Sequence, residues 1–302
     1  MINWGVPLED VEWFWRAGLE YPFLAITAGV AVFIVGACLG SFLNVCIWRM
    51  PRGESVVNAP SHCTGCGMPI RWFDNLPVVS YLALRGRCRR CHQPYSPRYL
   101  VVETLTGLLF VAIFFKSGLL HQTPCRLPAE LAMTMLAISA AWIDAEHRLI
   151  PDALTLPAAT AGLIFAAIFP AAWNLTGDWS AGNAAAAALM SALSGILAGG
   201  LLGAFTWIGY KWTGRDVIGW GDVKFVAATA TLLGLPAAMF ILLIGSILGL
   251  IWGIISACRH HRRLHQLKIA FGPFLSAATL IWIFTGSKLY TGYAQLIALL
   301  IK

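Results

Sequence analysis

Long runs without a charged residue constrain the fold of this chain more than any other feature. Residues 21–48, 179–210 and 225–258 contain no Asp, Glu, Lys or Arg, and the last run is 34 residues long. A helix of about 20 apolar residues crosses the hydrocarbon core of a bilayer. With 58% hydrophobic and 12% charged residues, the chain is predicted to be an all-α polytopic membrane protein.

The pattern predicts about eight transmembrane helices. Gly234-Leu235-Pro236 in the middle of the longest run is a helix-stop signal, so this run is divided into two spans. The division leaves 16 of the 21 Lys and Arg residues on one side, which the positive-inside rule makes cytoplasmic. The acidic segment before residue 21 is then external and retained, and the short apolar stretch at 289–301 is placed at the interface. The net charge of +7 belongs to the loops, so no nucleic-acid partner is expected.

The region between the first two spans differs in composition. Residues 49–98 are polar, contain eight arginines and carry two C-x-x-C motifs. Four thiolates at this spacing suit a tetrahedral structural Zn²⁺. The alternatives are free cysteines and two disulfides, and disulfides conflict with a cytosolic location. We therefore predict an external N-terminus with the first span (1–48), a cytoplasmic zinc-binding domain (49–98) and a transmembrane domain (99–302). The predicted metal ligands are Cys63, Cys66, Cys88 and Cys91.

Two carboxylates stand beside apolar runs. Asp144 ends the third span, and Asp222, within the sequence GWGDVK at 219–224, precedes the sixth. A carboxylate at the membrane is energetically costly and therefore indicates a function. Two carboxylates that lie close together share one proton, so that one acts as base and the other as acid. This indicates an aspartic protease that activates water at the bilayer surface, so residues 99–302 are predicted to form a transmembrane aspartic peptidase domain. An aspartate in such a position could instead have a structural role, as a helix cap or as a partner of Lys or Arg. Asp152 fits this role, because it is predicted to be the N-cap of the fourth span.

Other classes of protein explain less of the sequence. The chain has neither the HExxH motif of zinc metalloproteases nor the GxSxG motif of serine hydrolases. A transporter would have interrupted spans at matching positions in two repeats, but the cysteine motifs occur in one half only. A membrane-anchored zinc adaptor would not need paired carboxylates. The His-rich segment around 260–265 is interpreted as a solvated basic loop that faces anionic lipid.

Several motifs occur together in the order found in one family. The chain closely resembles the prepilin leader peptidases of type IV pilus and type II secretion systems, which are membrane aspartic proteases of the GxGD type. The matching motifs are GSFLNV at 40–45, the C-x-x-C pair, NLPVVSYL at 75–82, VE at 102–103, ID at 143–144, LIPD at 149–152, GWGDVK at 219–224 and FGPF at 271–274.

The resemblance implies a bifunctional enzyme of the bacterial inner membrane. It would cleave the leader from prepilins and pseudopilins after a glycine, at the cytoplasmic face. It would then N-methylate the new N-terminal residue, usually phenylalanine, with S-adenosylmethionine as donor. The family's catalytic aspartates match Asp144 and Asp222, and a peptidase without methylation is the alternative. Because the cytoplasmic loops are basic, a basic leader would be attracted by anionic lipid or by Glu54, Asp74 or Glu103.

Overall fold

The structure is a computed structural model that describes residues 22–57, 61–119, 124–173, 180–214, 218–260 and 269–300. The expected external segment before residue 21 and most of the basic His-rich loop, residues 261–268, lie outside these ranges. Within them the fold consists of helices and isolated bridges, with eight long helices, as predicted. These are α1 (Pro22–Arg49), α2 (Arg98–Leu119), α3 (Leu127–His147), α4 (Asp152–Ile168), α5 (Ala181–Thr213), α6 (Trp220–Leu233), α7 (Leu235–His260) and α8 (Gly272–Leu300).

The described residues divide into two compact units, one before residue 120 and one from residue 124 onward. The predicted division into three parts at residues 48 and 98 stays a prediction. In the first unit α1 and α2 pack closely because glycines face the contact. A methyl group added to Gly36 would lie 2.9 Å from Cα of Gly107, and one added to Gly40 would lie 2.9 Å from Cα of Glu103. Small residues allow such backbone approach in membrane helix pairs.

The centre of the second unit is α6. Its residues Phe225 and Ala228 are fully buried in a core shared with Met133 of α3 and Ile241 of α7. Helix α5 approaches α6 through glycine, because a methyl group at Gly195 would lie 2.5 Å from the Thr231 side chain. Helix α6 is therefore held from several sides, which fixes the position of its first turn.

The break between α6 and α7 lies where the sequence places it. Gly234 has a φ of +88°, a conformation that glycine adopts without steric cost, and Pro236 follows directly. The C-terminal stretch differs from the prediction, because α8 continues without interruption to Leu300. No glycine-proline pair interrupts residues 287–300, so nothing in the sequence stops the helix there.

Five of the described helices, α1, α2, α3, α5 and α7, are long and apolar enough to cross a membrane. Helices α4 and α6 contain 17 and 14 residues, and they are therefore about 26 Å and about 21 Å long. Large apolar side chains point outward from the long helices, including Phe205 on α5 and Leu243 on α7. The chain is a multi-pass membrane protein, which confirms the predicted fold class.

Candidate active site

Asp144 lies in the last turn of α3 and is only 6% exposed. The helix ends at His147, and its C-cap residue Arg148 has a left-handed φ of +56° and donates its backbone N–H to the Asp144 carbonyl at 2.8 Å. This turn redirects the chain toward Ile150, which is buried. The aspartate therefore occupies a fixed position on a rigid helix end, as a reacting group requires.

Asp222 lies in the first turn of α6 and is half-buried. Gly219 is the N-cap residue of this helix and has no side chain for capping. The Asp222 carboxylate instead accepts a hydrogen bond from the Gly219 backbone, as the third residue of a capping box does. A carboxylate is also stabilised by the partial positive charge at a helix N-terminus.

The two aspartates lie close enough for their charges to interact. Helices α3 and α6 place them together, and the contact of Thr229 with Met133 joins the same helices deeper in the core, with the hydroxyl 3.8 Å from the sulfur. The sequence predicts only that the two carboxylates lie on the same side of the membrane, and the fold brings them to one site. Their catalytic roles stay a prediction.

A third element, the start of α8, completes the surroundings of Asp144. The backbone N–H of Gly272 donates to Oδ2 of Asp144 at 2.7 Å, and the backbone of Phe271 also bonds to this carboxylate. A methyl group added to Gly272 would lie 2.9 Å from both Cβ and Oδ2 of Asp144. The FGPF motif therefore contacts the candidate site, a role that the sequence reading left unassigned.

The two glycines of GWGDVK pack against this chain itself. Gly221 faces the chain between α3 and α4, where an added methyl group would lie 3.1 Å from Cβ of Ile150 and 3.2 Å from its backbone nitrogen. Gly219 lies beside the carboxylate of Asp222, and a methyl group added to it would lie 3.1 Å from Oδ2 of Asp222. Both glycines hold the first turn of α6 in place. Gly221 thereby allows close approach of the backbone of Ile150.

The structure corrects the role predicted for Asp152. Pro151 is the N-cap residue of α4, and Asp152 is the first residue inside the helix without a capping hydrogen bond. Its carboxylate instead forms an ion pair with Lys224, with Oδ1 and Nζ 2.6 Å apart. The proline explains the shift, because its fixed φ suits the start of a helix. The pair joins α4 to the turn that carries Asp222.

The four cysteines of the two C-x-x-C motifs form one cluster. Their Sγ atoms all lie within 4.8 Å of one another, and those of Cys63 and Cys91 are 3.7 Å apart. Sulfurs bound to a tetrahedral zinc at about 2.3 Å are about 3.8 Å from each other, so the donor set fits this metal. None of the eight cysteines is in a disulfide.

The two C-x-x-C motifs have the same local structure. The N–H of Cys63 donates to the carbonyl of Met68, and the N–H of Cys88 donates to that of Gln93, both at 2.9 Å and both five residues ahead. These turns also direct N–H groups at the sulfurs. Those of Cys91 and Arg90 lower the pKa of the Cys88 thiol to about 6, which favours the thiolate that a metal binds.

The three acids considered for leader attraction have different environments. Asp74 accepts three hydrogen bonds from Arg89, from Nε to both carboxylate oxygens at 3.0 Å and from Nη2 to Oδ1 at 2.7 Å, and this guanidinium lowers the pKa of Asp74. Glu103 is 7% exposed and accepts a hydrogen bond of 2.8 Å from the N–H of Val78. Glu54 alone of the three is exposed and open to a basic peptide.

The fold and the site define a polytopic helical membrane protein with an aspartate pair at adjoining helix ends and a separate four-cysteine cluster. Two family models match the chain, the "Bacterial Peptidase A24 N-terminal domain" at residues 34–117 and the "Type IV leader peptidase family" at residues 131–254. No solved structure matches it. Residues 131–254 include both aspartates, and residues 34–117 include the four cysteines.

Several proteins named prepilin leader peptidase/N-methyltransferase are similar over most of the chain. The protein of Aeromonas hydrophila is 35% identical over 87% of this chain and 92% of its own length. That of Klebsiella pneumoniae is 36% identical over 79% of this chain and 98% of its own. That of Myxococcus xanthus, a longer protein, is 37% identical over 75% of this chain and 62% of its own length. The chain therefore belongs to the type IV leader peptidase family, which confirms the resemblance carried by its motifs.

Proposed function

We propose that this protein cleaves the leader from type IV prepilins and type II secretion pseudopilins and N-methylates the new N-terminal residue. Cleavage takes place at the cytoplasmic face of the bacterial inner membrane, with Asp144 and Asp222 as the catalytic pair. Family membership and the names of the relatives support the two activities. The juxtaposition of the two carboxylates is the observation that carries the assignment of the peptidase site.

Two carboxylates in one partly buried site favour a state with a single shared proton, because two adjacent negative charges repel. The ionised member takes a proton from a water molecule, and that water attacks the scissile carbonyl. The protonated member donates its proton to the carbonyl oxygen. The titration belongs to the pair rather than to either residue. The N–H of Gly272 holds the carboxylate of Asp144 during these transfers.

Cys63, Cys66, Cys88 and Cys91 hold a structural zinc ion in this proposal. Their sulfurs all lie within 4.8 Å of one another, and the 3.7 Å between those of Cys63 and Cys91 is close to the separation in a tetrahedral zinc site. The described residues between α1 and α2 contain little regular structure apart from 3₁₀ turns and the five-residue helix Val79–Ala83. Metal coordination supplies folding free energy that such a short segment lacks.

The second reaction takes its methyl group from S-adenosylmethionine. The lone pair of the new α-amine forms a bond to the methyl carbon while the carbon–sulfur bond breaks and its electron pair returns to sulfur. The amine then loses a proton to solvent. In the uncut precursor this nitrogen is an amide, whose lone pair is delocalised into the carbonyl. Leader cleavage therefore precedes methylation.

The test uses purified full-length protein in detergent and a prepilin substrate, with mature N-termini identified by mass spectrometry. Asp144→Asn and Asp222→Asn should each reduce leader cleavage by orders of magnitude, because an amide does not serve as the base. Glu146→Gln is the matched control, since Glu146 is exposed on the same helix two residues after Asp144. Substantial cleavage by either aspartate variant, or equal loss in the control, would remove the pair from the mechanism.

A further inference from the structure

The cysteine-bearing segment, residues 50–97, presents large apolar side chains on its surface. Trp72 is 78% exposed, and Val79 and Leu82 are each 61% exposed. These three side chains and the exposed Leu76 form the apolar face of the segment. Single exposed apolar side chains are common on proteins, but a group of them on a polar segment marks an interaction surface.

Hydrogen bonds of Ser80 hold the parts of the apolar face together. Its hydroxyl donates to the carbonyl of Phe73 at 2.9 Å, and its backbone N–H donates to the carbonyl of Leu76 at 3.0 Å. Val79 and Leu82 are three positions apart in the five-residue helix, so they lie on one side of it. Ser80 itself is buried. The short helix is therefore fixed to the preceding 3₁₀ turn, with its apolar side directed outward.

The adjoining ends of α1 and α2 mark the boundary between membrane and water. Near the end of α1, the guanidinium of Arg52 lies 3.7 Å from the ring centroid of Trp48. At the start of α2, the guanidinium of Arg98 lies 5.6 Å from the ring centroid of Tyr99. Aromatic and basic side chains at the ends of membrane-crossing helices are typical of the interfacial region. Both helices therefore leave the hydrocarbon core at this level.

The apolar face lies at the same level. The N–H of Val78 donates to Oε2 of Glu103 in the second turn of α2, at 2.8 Å. Residues 76–82 therefore lie beside the first two turns of α2, which are about 11 Å long. The exposed apolar side chains of α2 begin in this part of the helix, at Val101 and Leu105. The face is therefore level with side chains of α2 that meet lipid.

Basic side chains accompany the apolar face. Residues 71–90 contain five arginines and one aspartate. Arg71 precedes the face, and its guanidinium lies 5.8 Å from the ring centroid of Phe73. Arg85 follows the face, and its backbone N–H donates to the carbonyl of Leu82 at 3.1 Å. Both arginines are exposed. Basic side chains beside an apolar surface are attracted to anionic lipid headgroups.

We propose that the apolar face docks on the anionic lipid surface of the bilayer and holds the cysteine-bearing segment against the membrane. Trp72, Val79 and Leu82 enter the region between headgroups and acyl chains, where an indole ring is favoured. Arg71 and Arg85 bind headgroup phosphates. Lipid is favoured over a protein partner, because the face lies level with the lipid-exposed start of α2 and has an arginine at each end. The proposal depends on neither of the two proposed activities.

The first experiment maps lipid contact by photo-cross-linking. Full-length protein with p-benzoylphenylalanine in place of Leu82 is reconstituted in nanodiscs of phosphatidylcholine and phosphatidylglycerol, irradiated and analysed by mass spectrometry. The control has the same probe at Met68, which is apolar and 41% exposed but lies outside the face. We expect the yield of lipid adducts at Leu82 to be several times that at Met68. Equal yields overturn the proposal, and so do adducts of Leu82 with a second copy of the chain, or with added prepilin, in place of lipid.

The second experiment measures hydrogen exchange of the unmodified protein in nanodiscs with and without phosphatidylglycerol. Docking opposes local opening of the segment, so the backbone amides of residues 76–84 should exchange more slowly when the anionic lipid is present. The double variant Arg71→Gln, Arg85→Gln should lose this difference. Lys211→Gln is the control for removal of a positive charge, because Lys211 is exposed on α5 in the second unit, and it should retain the difference. No effect of the lipid on the unmodified protein, or an undiminished effect in the double variant, contradicts the proposal.

Discussion

The backbone N–H of Gly272 donates a 2.7 Å hydrogen bond to Oδ2 of Asp144, from a residue 128 positions away in the chain. Gly272 begins α8, and the first N–H groups of a helix have no partner within the helix. Asp144 satisfies one of them and receives in return the favourable field of the helix N-terminus. The α8 helix therefore positions one member of the aspartate pair.

This contact predicts that Gly272→Ala lowers the rate of leader cleavage. The added methyl group would lie 2.9 Å from Cβ and Oδ2 of Asp144, so the carboxylate must move. A displacement of about 1 Å at a reacting group costs roughly 100-fold in rate. The turnover rate is measured with a purified prepilin in detergent. Gly200→Ala is the control, because no atom lies within 4 Å of the position of its methyl group. Equal activity of both variants would show that the contact has no effect on catalysis.

The ion pair between Asp152 and Lys224 predicts coupling between α4 and the first turn of α6. Both side chains are substantially exposed, so the pair contributes at most about 1 kcal/mol to stability. We expect Asp152→Lys and Lys224→Asp each to reduce cleavage several-fold, because Lys224 lies two residues after Asp222. The double variant should recover most of the activity, with the charges exchanged. A double variant as slow as the worse single variant would argue against this coupling.

Much of the fold follows from local sequence. Gly234-Leu235-Pro236 marks the break between α6 and α7, because glycine accepts the positive φ and proline suits the start of the next helix. The distribution of Lys and Arg then places Asp144 and Asp222 on one side of the membrane, and the structure brings them to one site. The spacing of the four cysteines likewise predicts their cluster.

The remaining features depend on packing between distant segments, which local patterns do not encode. Gly272 meets Asp144 only because α8 packs on α3. Asp152 is interpreted as a helix cap from its position after a proline, and its partner Lys224 is 72 residues away.

Removal of the metal should unfold the cysteine-bearing segment. We expect metal analysis of protein purified without chelator to give one zinc per chain, and the variant with Cys63→Ser and Cys88→Ser to give none. Its segment 50–97 should become sensitive to protease, since coordination supplies its folding free energy. Cys38→Ser is the control, because Cys38 is exposed on α1 and lies outside the cluster. Absence of zinc from the unmodified protein would contradict the proposed metal site.

The two activities should separate when the peptidase pair is disabled. Methyl transfer involves no attack of water on a carbonyl, so it does not require a shared proton between two carboxylates. We expect Asp222→Asn to leave intact prepilin both uncut and unmethylated, and to methylate a pilin peptide that already has a free N-terminal phenylalanine. Substitutions in the first unit should have the opposite bias and weaken methylation more than cleavage. The measurement is transfer of tritium from labelled S-adenosylmethionine to the peptide, with the unmodified protein as reference. A folded Asp222→Asn protein that binds the donor and transfers no label would show that both reactions use the aspartate site.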